Sequence, residues 1–182
     1  MKTVESLKRG VSKALRLWRE GRRDLALSQI DRLLEMWPDN PRLLVMRAKL
    51  IQLQDDVEGI PTLEDAKSDL IRAAGLDEDS PDPLIELGHF LFAVQDDAKN
   101  ASRYFDKAVH LSVDLLTQAL VGHAQALAEL GQEAKASASL MTACSLAAQY
   151  RGSVRETVLE RIRDLVGNTL EAGSASSNGP QQ

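Results

Sequence analysis

The chain has 182 residues and a formal net charge of -5, with 43% apolar and only 4% aromatic residues. This length gives room for one domain with a sizeable core, and the acidic balance argues against a general nucleic-acid binder. The single cysteine, Cys144, excludes an intrachain disulfide and a cysteine-rich metal site. No apolar run is long enough to span a bilayer and the first residues lack an apolar leader, so we expect a cytoplasmic protein.

The first predicted helix, residues 3–20, is strongly basic. Residues 1–23 contain eight lysines and arginines against two glutamates, so the rest of the chain is markedly acidic. An apolar stripe from Val4 to Trp18 gives this helix a face that a core could cover. We therefore interpret the basic residues as the solvated face of a core helix. An address for an acidic partner or a membrane surface, and a transit peptide, are the alternatives.

Local signals predict helix throughout the chain. Asn40-Pro41 and Asp82-Pro83 are typical of a capping residue followed by proline at the first helical position. Gly21 and Gly131 favour tight turns between helices, and Ser153 begins a capping-box pattern. No segment alternates as a strand would. The predicted helices cover residues 3–20, 24–37, 41–54, 62–75, 83–95, 98–111, 115–130, 133–149 and 153–170.

Small residues recur in two series along these helices. One series is Ala26, Ala66, Ala101 and Ala136, with spacings of 40, 35 and 35 residues. The other series is Ala14, Ala48, Gly88 and Ala124, each followed three residues later by a leucine or isoleucine. A period near 34 residues built from two helices is the length of a tetratricopeptide (TPR) unit. Over about residues 7–150, the chain resembles the TPR family.

The resemblance implies an all-α fold, a right-handed α-solenoid of about four TPR-like helix pairs with a C-terminal capping helix. In this fold Gly88 would allow two helices to approach closely. Gly10 stands where the family prefers a large apolar residue, and the second unit carries an insertion, "DVEGIP", over residues 56–61. The expected domain covers residues 1–171, with units of about 7–40, 41–80, 81–115 and 116–150, a capping helix over 153–170 and a disordered tail over 172–182.

No motif indicates catalysis. The histidines, His89, His110 and His123, lack metal-ligand spacing, and Cys144 falls at a small-residue packing position. The acidic cluster within residues 77–82 lacks the spacing and the glycine of a calcium loop. We therefore expect no enzyme, no cofactor and no metal site.

In the TPR family, the first helices of successive units line a concave groove that holds a peptide or a helix. Transferred position by position, this groove would be lined by Leu15, Trp18, Arg42, Val45, Lys49, Gln52, Ile85, His89, Phe92, Val121, Gln125 and Ala128. Some family members grip a partner's C-terminal carboxylates with cations and amides. The matching positions here are Val11, Leu15, Met46, Asp82 and Glu86, so an acidic C-terminal tail is not the expected ligand.

The resemblance implies a non-enzymatic adaptor or scaffold that binds a peptide or an amphipathic helix of another protein in this groove. The groove could instead be filled by the protein's own first helix, its tail or a second copy. Two further interpretations stay open. One is a structural subunit that forms a head-to-tail homo-oligomer through its basic first helix. The other is an accessory subunit or chaperone of an enzyme or secretion complex.

Overall fold

The computed structural model describes residues 3–54 and 61–176, with side chains described up to residue 166. Within these ranges the chain is helical and contains no strand, which confirms the predicted all-α class. The helices are α1 (Val4–Arg19), α2 (Arg23–Met36), α3 (Pro41–Ile51), α4 (Leu63–Leu76), α5 (Pro81–Ala93), α6 (Ala98–Glu129), α7 (Glu133–Gln149) and α8 (Glu156–Ser176). Most of the predicted insertion and the end of the predicted tail, residues 177–182, lie outside the described residues.

The helices pack in sequential pairs. Helix α1 packs on α2 and α3 packs on α4, while α2–α3 and α4–α5 contacts join neighbouring pairs. Helix α3 also contacts α5, so the first helices of the second and third predicted repeats lie side by side. Gly21 and Gly131 have φ angles of 75° and 70°, values that favour glycine in the tight turns between helices.

The chain divides into two compact units, unit 1 (Met1–Ala108) and unit 2 (Val109–Gln182). The boundary lies inside α6, which runs without interruption from Ala98 to Glu129. This differs from the two helices predicted over 98–111 and 115–130. The physical reason is that no proline or glycine occurs between residues 111 and 115, so nothing stops the helical hydrogen-bond ladder there.

The small residues of the two repeat series that fall in unit 1 are buried. Ala14, Ala26, Ala48, Ala66 and Ala101 are each at most 1% exposed. A Cβ atom added to Gly88 would lie 2.8 Å from Cε1 of Phe105, which confirms the predicted close approach at this glycine. At Gly10, an added Cβ would lie 2.6 Å from Cδ2 of Leu33, so α2 supplies the apolar volume that the first repeat lacks at this position.

One arginine joins three helices of unit 1. Arg47 on α3 donates from Nε to Asp31 on α2 and from Nη1 to Asp69 on α4, each at 2.7 Å. Burial raises the pKa of the Asp69 carboxyl group, and the hydrogen bond from Arg47 offsets part of this effect. Burial opposes the charge of Arg47, but the two carboxylates raise the pKa of its guanidinium group. This network holds one side of α3 in place.

Unit 2 has its own core, formed by the C-terminal part of α6 with α7 and α8. Val121 and Ala143 are fully buried in it, and Val154, Val158 and Ile162 pack against them. Cys144 is half-buried against the same cluster. The predicted capping helix thus covers an apolar core, and its backbone continues past the predicted end at residue 170 to Ser176.

The start of α8 is capped from another helix. The backbone N–H of Arg155 donates to Oδ1 of Asp114 at 2.8 Å, and Nε of Arg155 donates to Oδ2 at 2.6 Å. Ser153, which the sequence pattern placed in a capping box, instead has its hydroxyl against Nδ1 of His110. The cap of this helix therefore comes from a residue 41 positions earlier in the chain.

Candidate functional site

A half-open cavity of 480 Å³ in unit 1, here called the unit 1 groove, is the candidate site. Helix α1 contributes Trp18 to its wall, α3 contributes five residues, and α5 and the turn before it contribute the rest. The lining residues are Trp18, Pro41, Arg42, Val45, Met46, Lys49, Asp77, Ser80, Asp82, Pro83 and Glu86.

The local sequence explains how α3 and α5 present these side chains. Each helix begins with proline at its first position, where the missing N–H costs nothing. Helix α3 begins at Pro41 as predicted, but α5 begins at Pro81 after Ser80, so the predicted start at Asp82-Pro83 was wrong by two residues. In α3, Arg42, Val45 and Lys49 follow at the spacing that places side chains on one helix face. This face of α3 therefore lines the groove along nearly the whole length of the helix.

An ion pair crosses the groove between these two helices. Nζ of Lys49 on α3 lies 2.6 Å from Oε1 of Glu86 on α5. Their side chains are 38% and 24% exposed, so solvent screens the pair only in part. The charges of Lys49 and Glu86 neutralise each other, and the pair connects α3 to α5 across the groove.

Three other charged side chains of the groove have no ion-pair partner among the described residues. Arg42 is an exposed guanidinium in the first turn of α3. Asp77 follows the last residue of α4, and Asp82 lies in the first turn of α5. The groove thus combines apolar surface from Trp18 and Val45 with charges of both signs that are available to a ligand.

Four of the twelve groove positions transferred from the TPR family line the unit 1 groove, namely Trp18, Arg42, Val45 and Lys49. Leu15 is half-buried and packs against the unit 1 core. Gln52 follows the end of α3, where its Nε2 donates to the carbonyl oxygen of Ala48 at 3.1 Å.

The predicted α5 positions are not among the residues that line the groove. Asp82 and Glu86 line it, whereas Ile85, His89 and Phe92 do not. His89 contacts Phe105 edge to face, with the ring centroids 5.0 Å apart, and Phe92 is 58% exposed. In α5 the wall of the groove is therefore acidic, and a role of Ile85, His89 and Phe92 in binding stays a prediction.

The three remaining predicted positions belong to unit 2. Val121 is fully buried in the unit 2 core, so its side chain offers no surface to a ligand in the folded unit. Gln125 accepts a hydrogen bond from Nη2 of Arg161 at 2.5 Å, and Ala128 is exposed.

Three further lining residues, Met46, Asp82 and Glu86, are among the positions that the sequence analysis matched to the family's carboxylate-gripping residues. Asp82 and Glu86 stand 40 residues after Arg42 and Met46, the same spacing that separates Ala26 from Ala66. Aligning α3 and α5 on their N-terminal prolines makes these positions equivalent in the two helices.

The described parts of the chain contain neither a candidate metal site nor a candidate membrane-spanning helix. In residues 3–54 and 61–166, no group of three His, Cys, Asp or Glu side chains is placed to hold a metal ion. Among the described helices, none combines the length and apolar character needed to cross a bilayer.

No protein-family profile matches the sequence, and no curated protein is significantly similar to it. Among solved structures, a crystal structure of MamA is similar at 18% identity and a TM-score of 0.44, covering 88% of this chain and 96% of that chain. A second crystal structure, of MamA protein, is similar at 18% identity and a TM-score of 0.48, covering 99% of this chain and 100% of that chain.

Proposed function

We propose that this chain is a non-enzymatic adaptor or scaffold that binds a segment of another protein in the unit 1 groove. One observation carries the proposal: the groove exposes apolar surface beside charged side chains that have no ion-pair partner among the described residues. Interfaces with other proteins combine an apolar, often aromatic anchor with charges that fix register and orientation. Trp18 supplies the aromatic element here, and Arg42, Asp77 and Asp82 supply the charges.

The walls of the groove are held in place without a ligand. The Lys49–Glu86 pair and the Arg47 network hold α3 before any ligand arrives. Preorganised walls lower the entropic cost of binding, so even a short helix or peptide can bind there.

Self-assembly is the second candidate, because α1 carries a row of exposed cations. Lys8, Arg9, Lys13, Arg16 and Arg19 are exposed, and within the described residues only Arg9 and Arg16 lie near carboxylates, Glu5 and Glu20 of the same helix. A head-to-tail oligomer would place this row against the acidic surface of another copy. Sedimentation velocity at low and high salt separates the two candidates, since an assembly of this kind dissociates as salt rises.

The main test is affinity capture with the full chain and two matched charge reversals, followed by mass spectrometry. Arg42→Glu changes the groove, and Arg32→Glu makes the same change at an exposed position on α2 that does not line it. We expect a partner that the wild type and Arg32→Glu retain and that Arg42→Glu loses, with circular dichroism confirming that both variants fold. Equal recovery by both variants would place the binding surface elsewhere.

A further inference from the structure

The turns that follow α2 and α4 have the same backbone geometry but different chemistry. Trp37 directly follows α2 and has φ of -130° and ψ of 70°. Asp77, 40 residues later, directly follows α4 and has φ of -134° and ψ of 72°. Trp37 packs against the unit 1 core, whereas Asp77 is exposed and lines the groove. Since the backbone accepts an apolar residue at this position, the fold itself does not require the carboxylate of Asp77.

Two further pairs of equivalent positions, 40 and 80 and 42 and 82, also carry different side chains. Asn40 caps α3 by accepting the N–H of Leu43 at 3.1 Å, but its equivalent, Ser80, makes no side-chain cap hydrogen bond at the start of α5. Arg42 in the first turn of α3 is replaced by Asp82 in the first turn of α5. Ser80 and Asp82 both line the groove. Asp77, Ser80 and Asp82 thus place oxygen acceptors along one wall of the groove.

Negative charge is concentrated on this wall of the groove. The last turn of α4 carries no basic residue, and Asp77 places a carboxylate at the negative end of the helix dipole. Glu78 and Asp79 add two more carboxylates in the same turn. Among the described residues, Asp77 and Asp82 have no ion-pair partner that would offset this charge. A bound cation would relieve the repulsion and gain charge-assisted hydrogen bonds.

We propose that Asp77, Ser80 and Asp82 form a subsite that binds a lysine or arginine side chain of the partner segment. The proposal rests on the function proposed above and names the chemistry of its partner. An apolar side chain next to the basic residue contacts Trp18 and Val45, while Arg42 favours an acidic residue on the same segment. Residues 177–182 of this chain, "SNGPQQ", contain no basic side chain and do not fit the subsite.

The test uses phage-displayed random dodecapeptides as the probe, selected on the immobilised full chain. We expect enriched peptides to carry a lysine or arginine beside an apolar residue. A synthetic copy of the best peptide should bind the double variant Asp77→Lys/Asp82→Lys at least about tenfold more weakly than the wild type, since charge-assisted hydrogen bonds are lost and like charges are brought together. Glu78→Lys/Asp79→Lys makes the same charge change in the same turn but in residues that do not line the groove, so it should weaken binding clearly less than Asp77→Lys/Asp82→Lys does, because no direct contact is lost.

A milder variant separates binding from folding. Asp77→Asn removes the charge from the C-terminal end of α4, so its thermal midpoint should equal or exceed that of the wild type while its affinity for the peptide falls. If affinity is unchanged in Asp77→Asn, the carboxylate does not recognise the ligand and the subsite proposal is wrong.

The remaining outcomes distinguish the two proposals. The enriched peptides could lack a basic residue and yet bind Arg42→Glu more weakly than the wild type. The groove would then still be the binding site, but the proposal of a cation subsite would be wrong. No enrichment, or peptides that bind all groove variants equally, would overturn both proposals. Sedimentation could instead show a dimer that the double variant Asp77→Lys/Asp82→Lys abolishes. The occupant would then be the basic α1 of a second copy, and the proposal of a segment from another protein would be wrong.

Discussion

Asp114 shows how one side chain can organise a helix terminus in unit 2. It is only 4% exposed and accepts hydrogen bonds from the backbone N–H of Arg155, the guanidinium of Arg155 and the amide of Gln118. Burial alone would raise the pKa of this carboxyl group, but the donors of Arg155 and Gln118 outweigh burial and lower it. The ionised form of Asp114 therefore stabilises the folded protein.

The sign of the pKa shift predicts a pH dependence. A carboxyl group with a lowered folded pKa contributes stability above its unfolded pKa, about 3.9 for aspartate, and loses it as the pH falls through the folded value. Asp114→Asn should lower the free energy of unfolding at pH 7 by about 1 kcal/mol, the typical effect of a lost helix cap. It should also flatten the decline in stability at acidic pH. Urea unfolding between about pH 3 and 7 measures both effects.

Asp164→Asn is the matched control for this experiment. Asp164 is exposed on α8, and within the described residues it makes no ion pair. Its replacement should leave the pH dependence of the wild type intact. Parallel pH profiles for the wild type and Asp114→Asn would show that the cap is not a source of acid sensitivity.

At the scale of elements, α8 is the helix whose apolar face covers the core of unit 2. Val154, Val158 and Ile162 are each at most 8% exposed and pack against Val121 and Ala143. Removal of this segment would expose their partners on α6 and α7 to water. Stacked helical repeats need such terminal helices because each unit buries only one of its faces.

Two truncations test the role of α8. Deletion of residues 154–182 should cause aggregation and loss of cooperative thermal unfolding, because it uncovers the apolar core of unit 2. Deletion of residues 177–182 alone should leave the thermal midpoint nearly unchanged, because these residues carry no large apolar side chain. Light scattering during a thermal melt distinguishes the two, and equal behaviour would contradict the covering role of α8.

At the scale of the whole molecule, the described residues form two separate apolar clusters. The cluster in unit 1 is built from residues of α1 to α6, and the cluster in unit 2 from residues of α6, α7 and the segment with α8. The boundary between the units falls within α6. In proteins with this kind of organisation, stability is approximately a sum of local terms and is not uniform along the chain.

This organisation predicts a local response to a core substitution. Ala143 is fully buried in unit 2, and Ala143→Leu should overpack that core by about 1–3 kcal/mol. Hydrogen exchange followed by mass spectrometry should show faster exchange in α7 and α8, with α2 and α3 unchanged. An equal increase in exchange across both units would mean that the chain unfolds as one cooperative body.

What the sequence determined by itself was the local and periodic part of the structure. The spacing of Ala26, Ala66 and Ala101 identified buried helix crossings, because a position that admits only a small side chain recurs with each pair of helices. Asn40 and the following proline identified the start of α3, because caps and N-terminal prolines act within one turn. Trp18, Arg42, Val45 and Lys49, four of the predicted groove residues, line the cavity, and their role in binding stays a prediction.

Only the tertiary structure decided the features that depend on helix rotation and on long-range contacts. The cavity is lined by Asp82, Pro83 and Glu86 of α5 and not by Ile85, His89 or Phe92, and the packing of α5 against α3 and α4 decides which of its residues reach the cavity. Asp114 could not be identified as the cap of α8 because its partner, Arg155, lies 41 residues away. Local propensity acts over a few residues, whereas the orientation of each helix minimises the exposed apolar surface of the whole packed unit.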